Sequence, residues 1–158
     1  SAAHIGDTGM EMIKDYCKYG GNLLVLGGPF AYGNGGYKGT ALDEILPVLS
    51  QGPFDLKAVD GVMKWTPGQK MIKTGSLDAL KPGYIHYVKV KPAAKVLLTC
   101  GEDPFLVAGA YGDGTVMCIT GTPLGSSDFC NTPQWQEVLA NILDYSGLKK
   151  KGGSGGDK

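Results

Sequence analysis

The stretch LLVLGGPFAYGNGGYKGTALDEILPV, from Leu23 to Val48, constrains the fold more than any other part of the chain. Leu23 to Leu26 is a continuous apolar run with no polar face, the pattern of a strand covered on both sides. Six glycines then fall between Gly27 and Gly39. Glycine reaches backbone conformations closed to other residues and lets a neighbour come close to the main chain. Thr40 with Asp43 reads as the cap of a short helix that ends at Pro47. Strand, glycine loop and helix in succession are the local pattern of an α/β domain, where the loop at the carboxyl end of a strand is the usual place for a ligand. The candidate ligand-binding residues are therefore Gly27, Gly28, Pro29, Tyr32, Gly35, Gly36 and Tyr37. The glycines offer backbone N–H groups to a ligand oxygen, and the tyrosines offer faces for stacking on a sugar. The competing reading is a wide structural turn that packs Phe30, Tyr32 and Tyr37 against the domain.

Upstream, residues 1–7 read as a loose segment. Thr8 and Glu11 form a T-x-x-E capping box. Met10, Ile13 and Cys17 recur at helical spacing as the buried stripe of the helix that follows, and Gly20-Gly21 ends it. A strand is expected before the first helix of an α/β domain and none precedes this one, so either the sheet lacks that strand or another segment or chain supplies it.

Downstream the chain becomes rich in β signals. Trp65-Thr66-Pro67-Gly68 reads as a turn and Ser76 to Leu80 as one helical turn. Tyr84 to Lys91 alternates, with Ile85 and Tyr87 on one face and His86, Val88 and Val90 on the other. Val96 to Cys100 is a further strand. Phe105 to Tyr111 and Thr115 to Thr120 flank Gly112-Asp113-Gly114, a hairpin signal. Thr132 and Pro133 start a last helix with the apolar stripe Trp135, Val138, Leu139, Ile142 and Leu143, ending at Gly147. One domain over residues 8–148 and a flexible Gly/Ser/Lys tail over 149–158 follow from this reading. A chain of 158 residues suffices for one domain with a real core.

Charge narrows the partners. Lysine and arginine together number 15, as do aspartate and glutamate, and every basic residue is lysine. Zero net charge gives no bulk attraction to nucleic acid or an anionic membrane, and without arginine there is no bidentate guanidinium clamp. No apolar run is long enough to span a membrane. Cys17, Cys100, Cys118 and Cys130 form no C-x-x-C pair, so a zinc site is not expected; Cys17 and Cys118 read as buried thiols, and a disulfide stays open. No metal ligand set or cofactor is assigned. Nothing in the sequence assigns a compartment.

The segments YGGNLLVLGGPFAYGNGGYKGTALDEILPV and VLLTCGEDPFLVAGAYGDGTVMCITGTPLG resemble the glutamine amidotransferase-like proteins of the class I glutamine amidotransferase-like superfamily, over about Met10 to Gly147. The resemblance implies a flavodoxin-like α/β sandwich, here with a β-hairpin-rich second half and without the first strand. It also implies a cysteine nucleophile on a sharp turn after the strand, helped by histidine and glutamate. Gly27, Gly28 and Pro29 stand at that turn, and none of them can attack a substrate.

The remaining candidates have structural readings beside their functional ones. Cys100 with His86 and Glu102 makes a Cys–His–Glu set by arithmetic, but a β-turn rather than a helix follows Cys100. Glu102-Asp103 and Asp113 read as turn carboxylates, His86 as a half-buried surface histidine, and Trp65 and Trp135 as core or rim aromatics. Lys89, Lys91 and Lys95 read as a solvated face, with a weak patch for an anionic partner as the alternative. The favoured function is a non-catalytic amidotransferase-like module for binding or assembly within a larger protein or oligomer, with a protein partner at an exposed sheet edge and no catalytic residues. The rivals are a hydrolase acting on a carbohydrate or amide, with Glu102 or Asp103 facing Gly28, and a glycan-binding module using exposed Tyr32, Tyr37 and a tryptophan.

Overall fold

The structure, a computed structural model, describes residues 1–78, 80–122 and 129–145. The described elements form an α/β arrangement around one mixed five-stranded sheet. The chain enters through helix α1 (Ala2–Lys18), which is already helical where a loose segment was expected. Gly6 breaks it with φ 73°, a left-handed conformation that glycine adopts without strain, so the helix is two segments about a kink. Met10 and Cys17 are its buried contacts, as their spacing predicted. At its far end the N–H of Gly20 and that of Gly21 turn back to the carbonyls of Cys17 and Tyr16.

Strand β1 (Leu23–Val25) leads to α2 (Ala41–Ile45), β2 (Val48–Ser50), β3 (Leu56–Ala58) and β4 (Met63–Trp65). Asp43 holds the start of α2 by accepting from Gly39 N at 3.2 Å, and it also accepts from Ser50 N at 2.8 Å. Strands β5 (Tyr84–His86) and β6 (Val88–Val90) replace the one continuous strand expected there. The chain breaks at Tyr87, whose N–H is drawn to the carbonyl of Asp55, and the two halves join different sheets. Strand β7 (Lys95–Cys100), β8 (Asp103–Tyr111), β9 (Gly114–Ile119) and β10 (Gly121–Thr122) follow; β8 and β9 form the expected hairpin over Gly112-Asp113. Helix α3 (Pro133–Tyr145) closes the described chain, its first turn held by Thr132 Oγ1 accepting from Trp135 N at 3.2 Å. Ala79 of the expected helical turn, the expected helix end at Gly147 and the tail at 149–158 lie outside the described residues.

The large sheet has the order β1-β9-β8-β7-β4. Only β1 and β9 are parallel; every other pair in it is antiparallel. Its two faces follow the alternation of β residues. Along β9, Val116 and Cys118 pack into the core under α1 and α2, while Met117 and Ile119 pack into the core under α3 with Trp135, Val138 and Ile142. In that second core Phe105, Phe129 and Trp135 meet edge to face, 5.1 to 6.1 Å between ring centres. Two small sheets, β10-β5-β3 and β2-β6, stand beside the large one.

Strand β1 is packed on both faces, Leu24 against the core under α3 and Leu23 and Val25 against the core under α1 and α2, but among the described residues it is the edge of the sheet; its residues are half-buried and Leu26 after it is exposed.

Candidate functional site

The parallel strands β1 and β9 end on the same side, and three segments converge there: the glycine loop after β1, the turn before β3, and β5. Backbone bonds set their spacing. His86 N donates to Thr120 O at 3.0 Å, just past the end of β9. A Cβ on Gly27 would collide with the carbonyl of Gly121, and one on Gly33 with that of Gly52. Glycine at both positions is thus a packing requirement.

Buried polar side chains fill the junction. Asp55 accepts from Gly33 N through Oδ2 and from Asn34 N through Oδ1, each at 2.9 Å. His86 places Nδ1 3.0 Å from Asp55 Oδ1 and Nε2 2.8 Å from the carbonyl oxygen of Gly28. Tyr32 lays its ring 5.0 Å from the imidazole and donates its hydroxyl to Ile119 O at 2.7 Å. Burial drives the Tyr32 hydroxyl well above its ordinary pKa, so it stays protonated and keeps the proton that it donates. Beside it, burial pushes the Cys118 thiol up to about 12, and Cys118 is no thiolate nucleophile at neutral pH. Two non-glycine residues flank the junction in left-handed conformations, Tyr32 at φ 46° and Phe54 at φ 64°. Such geometry costs about 1–3 kcal/mol per residue and persists only where the surroundings enforce it.

The candidate residues divide sharply. Tyr32 and Tyr37 are buried, with ring planes 55° apart, so the exposed coplanar faces that sugar stacking needs are not there. Gly35 is buried too, bonded to Ala31 O and accepting from Ala2 N at 2.8 Å. Gly27 is a packing residue. Gly28, whose absent Cβ would point into open space, exposed Pro29 and exposed Gly36 are what the loop offers outward, together with Phe30.

His86, expected at a half-buried surface, is 1 % exposed. Its two ring nitrogens are engaged with Asp55 and Gly28, so it joins no set with Cys100 and Glu102. The Cys100 thiol donates to Gly61 O at 3.3 Å, and burial raises its pKa. Asp103 pairs with Lys57 at 2.6 Å, and Glu102 is exposed. Facing Gly28 is His86, where the hydrolase reading placed a carboxylate. Asp113 sits at the hairpin tip, its N–H bonded to Lys18 O. Lys91 is no solvated lysine: it donates to the carbonyls of Asp43 and Glu44, both at 2.7 Å, at the end of α2. Trp65 is half-buried and donates to Gly75 O at 3.0 Å, whereas Trp135 is core.

Asp55 was missed. Its sequence signal is a lone aspartate after Gly52-Pro53, between Phe54 and Leu56. Chemically the junction braces the loop. Its histidine, aspartate and tyrosine spend their polar atoms on one another and on the main chain.

The second notable surface adjoins β1. Among the described residues β1 pairs only with β9, which leaves its other side without a partner strand. Met12, Tyr16, Tyr19 and Leu26 are exposed nearby, Tyr19 at 76 %, and the Tyr16 ring lies over Gly21 at the entrance to the strand.

Among solved structures, two cytoplasmic proteins from Salmonella typhimurium are similar to the chain, at 28 % identity with TM-score 0.77 and at 25 % with TM-score 0.74. Each similarity covers 87 % of this chain and 60 % of the other, so this chain spans about 60 % of the length of those relatives. A β-galactosidase from Rahnella sp. R3 shares the fold at TM-score 0.55 and 13 % identity, over 86 % of this chain and 21 % of its own. No curated protein sequence matches. No described helix is long and apolar enough to cross a membrane. The family model described as "putative glutamine amidotransferase" matches residues 3–147, and the chain belongs to that family.

Proposed function

We propose that this chain is a non-catalytic amidotransferase-like module that serves assembly through the free edge at β1. The observation that carries this reading is the edge itself: among the described residues, a strand in the largest sheet with one unpartnered side, followed by exposed Leu26 and preceded by Gly21, against which the exposed Tyr16 lays its ring. An unpaired row of N–H and C=O groups is a template for another strand, and exposed apolar side chains beside it give the added strand something to bury. On this reading the flavodoxin-like sheet is completed beyond β1 by a protein partner, a second copy being the simplest case. The module is non-catalytic because Gly27, Gly28 and Pro29 occupy the turn where the resemblance expects a nucleophile, while His86 and Asp55 support that turn from within. Pro29 and Phe30 at the loop tip extend the contact surface.

Light scattering on the purified chain tests it. A particle of at least twice 16.6 kDa that returns to one chain in Leu26→Lys is the expected result. A monomeric wild-type chain at every concentration would overturn the proposal.

A further inference from the structure

We infer that His86 carries a proton on both ring nitrogens in the folded protein, forming with Asp55 a buried ion pair that latches the glycine loop, and that loss of one of those protons opens the latch. The inference is independent of the assembly proposed above, since it concerns the inside of the loop.

The donor and acceptor inventory leads to it. Nε2 of His86 faces the carbonyl oxygen of Gly28 at 2.8 Å, and a carbonyl only accepts. Nδ1 faces Asp55 Oδ1 at 3.0 Å. Both oxygens of Asp55 already accept main-chain N–H groups, from Gly33 and Asn34, the acceptor role of a carboxylate. A neutral imidazole has one N–H and one lone pair. Whichever tautomer it took, a lone pair would face an oxygen at 2.8 or 3.0 Å in a site closed to water, where the His86 and Asp55 side chains are 0 % and 1 % exposed. The doubly protonated ring satisfies both partners and neutralises the carboxylate. A buried charge left without such a partner would be costly.

Among the described residues, the groups packed on the pair are engaged elsewhere or uncharged. From the loop, the Tyr32 ring faces the imidazole, and its hydroxyl is occupied by Ile119 O. Tyr37 lies beyond it, 6.0 Å between ring centres, and the Cys118 thiol of β9 sits beside the Tyr32 hydroxyl. Lys57 of β3, the strand paired with β5, is turned to Asp103.

The latch joins distant parts of one loop. Gly28 O also accepts from Ala31 N at 3.0 Å, so His86 fixes the first turn of the loop while Asp55 fixes Gly33 and Asn34. Removing a proton from His86 leaves one of its two bonds unmade, and a repulsive contact stands in its place. The outward residues Pro29 and Phe30 lie between the two pinned points.

The chain has only two histidines, and His4 is exposed, so nitrogen NMR reads the latch without assignment ambiguity. In ¹⁵N-labelled protein at neutral pH, long-range proton–nitrogen correlations should show both His86 nitrogens protonated, with ring protons slow to exchange. One protonated and one bare nitrogen at His86 would overturn the inference. Raising the pH should then shift the amides of Ala31, Gly33 and Asn34 with the same midpoint as the His86 ring. That coupled shift should be lost in His86→Gln, which keeps a donor without a titrating ring. Amides that stay still while His86 titrates, or that shift equally in His86→Gln, would overturn the latch.

Discussion

The loop from Gly27 to Tyr37 is closed by contacts from three segments, whereas the outer side of β1, a few residues upstream, meets no strand among the described residues. Both regions belong to the same strand–loop unit. In the loop, glycines let backbones approach until a Cβ no longer fits, and buried Asp55, His86 and Tyr32 satisfy the polar groups that this approach removes from water. Outside it, Met12 and Tyr16 of α1, Tyr19 at its end and Leu26 just after β1 are exposed. The difference separates what holds the fold from what remains available for contact. Substitutions in the loop should therefore act on stability, and substitutions at the edge on association.

The largest effect is expected from Asp55→Ala, which leaves the His86 ring and the N–H groups of Gly33 and Asn34 without their acceptor. Urea denaturation should show a loss of about 3–5 kcal/mol, the cost of breaking a buried pair. A loss below about 1 kcal/mol would mean that the junction is not the brace described. Tyr32→Phe removes the bond to Ile119 O while keeping the ring; the same assay should read a loss of about 1–3 kcal/mol from the orphaned carbonyl. At the edge, Leu26→Lys should change the unfolding free energy by no more than about 0.5 kcal/mol, as surface substitutions do, while still abolishing association. Destabilisation comparable to Tyr32→Phe would erase the distinction between the two regions.

Alkylation sharpens the same contrast. With its thiol pushed up to about 12 by burial, Cys118 should resist iodoacetamide in the folded chain and react on unfolding, as mass spectrometry of digested protein will show. The smallest effect concerns Glu44, which Lys14 at 2.6 Å and the hydroxyl of Tyr111 hold below the usual carboxylate range. A carboxylate with a lowered folded-state pKa contributes stability above its unfolded value and loses it as the pH falls through the folded one. Glu44→Gln should therefore lower the urea midpoint slightly at pH 7 and leave it unchanged in acid.

Local patterns carried much of the fold into view. The strand at Leu23, the hairpin across Gly112-Asp113 and the Thr132-Pro133 start of α3 each rest on a short-range rule of periodicity, turn chemistry or capping. The site was legible only in outline. The glycines placed it at the end of β1, but which tyrosines face inward depends on Gly33 meeting Gly52 and Gly27 meeting Gly121, contacts across 19 and 94 positions of sequence. His86 read as a surface residue because alternation assumes one continuous strand; the break at Tyr87 turns Ile85 and His86 alike into buried positions. Asp55 carries no motif at all. Its role comes from reaching Gly33 and His86, 22 and 31 residues away, and no local spacing encodes that. An exposed sheet edge is expected from the lack of a strand before α1, but the apolar run at Leu23 does not itself place that edge, since it states that a strand is apolar and not how many neighbours it has.

Hydrogen exchange at β1 as a function of protein concentration tests the central claim most directly. The amides of β1 and Leu26 that are not bonded to β9 should exchange freely in dilute solution and become protected as the concentration rises, in parallel with the growth in mass, while the loop amides of Gly33 and Asn34 stay protected throughout. Free exchange at those β1 positions at every concentration, with the mass of a single chain, would contradict the account.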